Sequence, residues 1–182
     1  MRKNGFTLIE IVIGVAVFAI LATVFIGLLV DSIKSQQKAL ASQELIDSIS
    51  YNLEYISRAV RMAKKELSDS PVCLSARGLN YEQTRDGNGL KFINYDGVCQ
   101  EIFLDTEEGR LYESRDGGQA LPLTPSSFQV NSFQLGPSDS WGQEEPVEQP
   151  RVTIVMEVEK REYGSTVSIQ TTISQRNLNV RR

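Results

Sequence analysis

The stretch from Ile11 to Val30 constrains this chain more than any other feature. It holds 20 consecutive positions without Asp, Glu, Lys or Arg. As a helix rising 1.5 Å per residue it spans roughly 30 Å, the hydrocarbon thickness of a bilayer. The remainder of the 182 residues is polar and mixed, which fits one soluble domain on a single apolar anchor. Arg2 and Lys3 precede the run, and basic residues are held on the cytoplasmic side. The start of the chain is therefore expected in the cytoplasm and the polar remainder outside. A secretory signal would be cut beyond its apolar region at a small-residue site. Asp31-Ser32-Ile33-Lys34 offers no such site, so the apolar segment is expected to be retained.

Composition removes several function classes. There is no histidine, which excludes His-based acid–base catalysis, Ser–His triads and His-ligated metals. Two cysteines are too few for a Cys₄ site within one chain. The formal charge is −4, from 23 acidic and 19 basic residues, with none of the concentrated basic surface that phosphate contacts require. No nucleic-acid partner is expected, no catalytic residue is assigned, and no Walker A sequence is present.

Glu10 abuts the apolar run. A charged side chain near the membrane interior costs about 2.5 to 3.5 kcal/mol on insertion scales and usually has a partner. Cleavage between Gly5 and Phe6 would create an α-amino group four residues before Glu10. That ammonium and the carboxylate would neutralise each other, within a chain or between neighbours, and pairing between neighbours would select a stagger. The alternative is a carboxylate solvated at the cytoplasmic interface.

Gly5-Phe6-Thr7-Leu8-Ile9-Glu10, preceded by Arg2 and Lys3, resembles the processing site of the type IV pilin superfamily of pilins, minor pilins and pseudopilins. That pattern is a short basic leader ending in Gly, then Phe, then an apolar helix with Glu at its fifth position. The resemblance implies cleavage after Gly5 by a membrane aspartyl prepilin peptidase, N-methylation of Phe6, and an assembly role for Glu10. It also implies other pilin or pseudopilin subunits and an inner-membrane assembly platform as partners. The chain would reside in the cytoplasmic membrane before joining a type IV pilus or a type II secretion-like pseudopilus.

After Val30 the apolar pattern becomes periodic. Ile46, Ile49, Leu53, Ile56, Val60, Ala63 and Leu67 alternate in steps of three and four, a stripe on one helical face. The first proline is Pro71, and Ser68-Asp69-Ser70-Pro71 reads as a stop. One helix from Thr7 to Leu67 would be roughly 90 Å long. The stripe fits either a coiled-coil seam or packing on the chain's own sheet. It is short for a coiled coil and a strand-rich region follows, which favours the sheet. Ser32 to Gln43 is poorer in apolar residues and reads as an exposed bridge. Gly14 and Gly27 within the apolar run allow bending or close approach of neighbours, or are simply the glycines common in membrane helices.

The remainder reads as strands and turns. Leu90–Tyr95 and Val98–Leu104 flank Asp96-Gly97, a hairpin signal. Arg110–Ser114 and Phe128–Leu135 are further candidates. Val152 to Glu159 and Val167 to Ile173 alternate apolar and polar residues and are expected to pair as an antiparallel hairpin. One face of a single sheet is expected to receive the helix stripe, giving an α+β fold. The expected organisation is a leader at 1–5, a membrane or filament-core helix at 6–30, an amphipathic helix at 31–67 and a β-rich head at 71–182. Between Gly136 and Pro150 the strand pattern stops and a loop is expected. Trp141 within it is read as covering the domain's own surface in preference to a partner contact.

Leu90-Lys91-Phe92-Ile93-Asn94-Tyr95, Gly109-Arg110-Leu111-Tyr112, Pro122-Leu123-Thr124 and Gln170-Thr171-Thr172-Ile173-Ser174-Gln175-Arg176-Asn177 resemble the J-type minor pseudopilins. This likeness implies a minor subunit near a filament tip. Tip subunits of the K type lack the glutamate that Glu10 supplies here. The competing function is an uncleaved, signal-anchored extracytoplasmic enzyme or ligand-binding domain.

Cys73 and Cys99 both follow the apolar run, on the expected outer side, where disulfides persist. A bond between them would close a loop of about 27 residues, worth roughly 3 to 4 kcal/mol in the chain-entropy model. Two buried thiols are the alternative. Asp86-Gly87-Asn88-Gly89 begins like a calcium loop, but the twelfth position from Asp86 is Gly97, where a glutamate is required. It reads as a turn. Some pseudopilins hold calcium, yet no ligand set is assigned here and no cofactor is expected.

Overall fold

A computed structural model describes residues 7–139, 141, 149–162 and 164–176. The fold is α+β: one long N-terminal helix whose second half packs on antiparallel sheets. Helix α1 covers Leu8–Arg61. By internal contacts the chain divides into a unit ending at Leu40 and a unit beginning at Ala41. The first unit is helical throughout its described length from Leu8, and its side chains are exposed except for the half-buried Ala22.

In the second unit α1 buries Ala41, Leu45, Ile49, Asn52, Ile56 and Val60. Of the expected stripe, Ile49, Ile56, Val60 and Ala63 are buried, and the differences lie at its remaining positions. Ile46 is 45% exposed and Leu67 61% exposed, Leu53 is half-buried, and Leu45 takes the place expected for Ile46. Leu45 and Ile46 both lie within one turn of Ile49, and contact with the sheets selected Leu45.

The helix ends at Arg61, short of the expected Leu67, because its terminal carbonyls find tertiary donors. Val60 O accepts the Tyr81 hydroxyl at 2.8 Å. Arg61 O accepts Arg176 N at 2.7 Å, and Ala63 O accepts Gln175 Nε2 at 2.6 Å. Groups that would otherwise be orphaned at a helix end are thereby satisfied. Lys64 N then donates to Ile93 O at 2.8 Å, so the chain leaves the helix by pairing beside a strand.

Among the described residues eight strands follow, in two sheets where one was expected. The first is an antiparallel meander of β1 (Tyr81–Thr84), β2 (Gly89–Ile93), β3 (Cys99–Asp105), β4 (Arg110–Arg115) and β5 (Leu121–Pro122). The second is β6 (Phe128–Gly136), β7 (Arg151–Lys160) and β8 (Ser165–Ser174). Pro122 and Pro125 bracket the turn that takes the chain out of the first sheet, and Phe128 N donates to Pro125 O at 3.2 Å as the second begins. A backbone bond from Val130 N to Gly109 O, 2.8 Å, joins β6 to the start of β4.

Local chemistry explains the turns. Gly97 has φ +85° in the β2–β3 hairpin, and Asn94 Oδ1 accepts the N–H groups of Asp96 and Val98, both at 3.0 Å. The β1–β2 turn passes Arg85, Asp86 and Gly87, all at positive φ, and Asn88 N donates back to Arg85 O at 3.1 Å. The Gly136–Pro137 peptide is cis.

The core is one cluster drawn from α1 and both sheets, including Ile56, Phe92, Leu111, Phe133, Ile154 and Trp141. Trp141 is only 3% exposed, so it is a core residue rather than a surface cover. Its ring meets Tyr81 edge-on at 5.9 Å and its Nε1 donates to Arg151 O at 2.8 Å. Residues 140 and 142–148 of the expected loop lie outside the described residues.

Candidate functional site

The N-terminal turn of α1 holds the first site. Thr7 precedes the helix and Glu10 lies in its first turn. The Glu10 carboxylate folds back: Oε2 accepts Thr7 N at 2.9 Å and the Thr7 hydroxyl at 2.8 Å. Glu10 N lies 3.4 Å from Thr7 Oγ1. This is the reciprocal arrangement of a capping box, in which a helix start satisfies two of its own orphan donors. The carboxylate thus has partners within its own chain, a contact that consideration of charge alone overlooks. The spacing Thr-x-x-Glu was the signal for it. The cleavage and methylation positions, Gly5 and Phe6, lie outside the described residues.

Beyond Glu10 the helix presents an unbroken apolar surface, with Phe18, Leu21, Phe25 and Leu28 all more than half exposed. It is long and apolar enough to cross a membrane. Cβ atoms built on Gly14 and Gly27 would meet nothing within 4 Å, so no contact among the described residues requires either glycine. Thr23 returns its hydroxyl to Ala19 O at 2.8 Å, which hides its polarity within the helix.

A second constellation organises the loop after α1. Cys73 and Cys99 are joined by a disulfide, with Cα atoms 5.3 Å apart. Beside it lies Glu66, 4% exposed. Its Oε1 accepts Ser68 N at 3.2 Å, and its Oε2 accepts Val72 N at 3.3 Å and Cys73 N at 3.2 Å. Burial raises the carboxyl pKa, but the backbone N–H groups of Cys73, Ser68, Val72 and Leu74 outweigh it and hold the pKa below the ordinary value. One buried carboxylate therefore gathers the loop that carries Cys73, which sequence reasoning missed because the partners are backbone groups.

A second buried acid, Glu113, ties α1 to β4. Its Oε2 accepts the Tyr55 hydroxyl at 2.6 Å and its Oε1 accepts Gln100 Nε2 at 3.0 Å. Arg115 pairs with the same carboxylate and donates to the Tyr55 oxygen at 2.9 Å. Burial and the bond to Glu113 raise the Tyr55 pKa. This network is a structural bridge with its hydrogen bonds spent internally.

A family model described as the prokaryotic N-terminal methylation motif matches residues 1–26. No curated protein matches the chain, and no solved structure does. The chain therefore carries an N-terminal methylation motif followed by a long helix and antiparallel sheets, and the match stops before the head begins.

Proposed function

We propose that this protein is a pilin-like structural subunit, cut after Gly5 by prepilin peptidase, N-methylated at Phe6 and assembled with other pilin or pseudopilin subunits. The observation that carries the reading is the methylation motif over residues 1–26 set on an apolar helix that is exposed among the described residues. The work is mechanical. In the membrane, lipid covers the apolar surface of α1. In a filament, neighbouring helices replace lipid, and the open sides of Gly14 and Gly27 admit close approach.

Glu10 has a specific part in this exchange. While the chain is alone, Thr7 satisfies the carboxylate and lowers the cost of holding it at the edge of the apolar run. Cleavage frees an amine on Phe6, one residue before Thr7. A neighbour's Phe6 ammonium then offers an ion pair, with both partners charged, in place of bonds to the uncharged donors of Thr7. Energy for extraction comes from a separate ATPase. In the narrower reading, the subunit is a minor one, a role supported by the resemblance of the head's segments to the J-type minor pseudopilins.

Intact mass and N-terminal sequence of the chain made together with a prepilin peptidase test this. The expected product begins at Phe6 and carries one added methyl, and Gly5→Ala abolishes the cut. Glu10→Ala is expected to leave cleavage intact and to lose incorporation into filaments. A product that still begins at Met1 overturns the proposal.

A further inference from the structure

Among the described residues the two sheets have four edges: β1 and β5 in the first, β6 and β8 in the second. An edge offers unpaired N–H and C=O groups to any extended chain, and proteins blunt it by shortness, proline, charge or a bulge. Three of these edges are blunted. β1 has four residues, with Glu82 among them. β5 has two and ends on Pro122. β6 is bulged between Val130 and Ser132. β8 has none of these devices. It runs ten residues, contains no charge and no proline, and its ladder to β7 is unbroken from Lys160↔Ser165 to Arg151↔Ser174.

The direction of the open groups follows from the ladder. Just beyond it, Gln175 N donates to Pro150 O at 2.8 Å. Backbone groups alternate in direction along a strand, so odd-numbered residues of β8 turn toward β7. Thr166, Ser168, Gln170 and Thr172 turn theirs outward, where no described backbone group meets them. The side chains of Val167 and Ile169 pack against the core yet remain partly exposed.

We propose that β8 pairs antiparallel with β8 of a second copy about a two-fold axis at Ile169, joining two three-stranded sheets into one. The strand is complementary to itself in this register. Ile169 faces Ile169 and Val167 faces Thr171 on the core side, while Thr166 faces Thr172 and Ser168 faces Gln170 on the other. The last two pairs are the outward-turned ones and exchange backbone bonds. A slip of one residue would set Ile169 against Gln170 and mix the faces. No like charges meet, because the strand carries none. The pairing covers Val167 and Ile169 in both copies. It is independent of leader cleavage.

Disulfide trapping tests the register. Cys73 and Cys99 are bonded to each other, so an introduced cysteine supplies the free thiol. In membranes containing the full chain, mild oxidation of Ile169→Cys is expected to give a linked dimer that Tyr51→Cys, on the exposed face of α1, does not give. Adding Ser168→Lys and Gln170→Lys is expected to abolish that dimer by setting lysines opposite each other. Val167→Cys and Thr171→Cys are expected to link only when the two variants are produced together. The same results are expected with Gly5→Ala present, so failed processing would leave them standing. No dimer above the Tyr51→Cys background overturns the proposal, as does equal linking of Val167→Cys alone. If Ile169→Cys loses the native Trp141 emission, the Val167 and Thr171 pair decides by the same criteria.

Discussion

Burial ordinarily raises a carboxyl pKa, yet Glu66 is held below the usual value because its oxygens are met by backbone N–H groups. A carboxylate whose folded pKa is depressed contributes stability that is fully present above its unfolded value. That contribution is lost as pH falls through the folded value. The head should therefore weaken as pH drops below the ordinary carboxylate value of 4.5. Glu66→Gln, which presents an amide to donors that need an acceptor, should unfold more easily than wild type at neutral pH. The gap between the two should close in acid. Emission from Trp141, the single tryptophan and a buried one, reads this in the full chain. A gap independent of pH would exclude Glu66 as the titrating group. The same contrast governs what the sequence disclosed at this scale. Cys73 and Cys99 were legible as a pair because compartment and cysteine count narrow the choice. Glu66 was not, because nothing in its neighbours' identities predicts that their backbone will turn toward it. Thr7 was legible in principle, through Thr-x-x-Glu, and was overlooked beside the charge of Glu10.

Elements were legible where periodicity extends over many residues. The two alternating runs that became β7 and β8 pair as expected, because a period of two over ten residues leaves one face for the core. The hairpin at Asp96-Gly97 formed for the reason its glycine suggests. β1 and β5, of four and two residues, carry too few positions to show any period and exist through their neighbours. The division into two sheets is likewise tertiary. In α1 the helix and most of its buried face, Ile49, Ile56, Val60 and Ala63, were clear, while the start of that face was not, since Leu45 and Ile46 both neighbour it. Stability distinguishes them. Leu45 is fully buried, so Leu45→Ala should cost about 2 to 5 kcal/mol, the range for truncating a packed leucine. Ile46→Ala, at a position nearly half exposed, should cost about 1 kcal/mol or less. Denaturant unfolding followed by Trp141 emission compares the two. Equal losses would restore the stripe through Ile46.

At the scale of the molecule, the apolar surfaces of the two units answer to different partners. Every buried apolar residue among those described lies at Ala41 or later, so the head closes its core without the first unit. The surface from Leu8 to Val30 stays exposed in the single chain and must be covered by lipid or by other helices. Such a separation would let the apolar helix exchange its surroundings while the head remains folded, as the proposed assembly from a membrane requires. It predicts that a chain beginning at Asp31 keeps the native Trp141 emission and the unfolding midpoint of the detergent-solubilised full chain. It should also stay in solution without detergent. A shifted emission or a lower midpoint would mean that the apolar segment supports the head, and the exchange would then carry a folding cost.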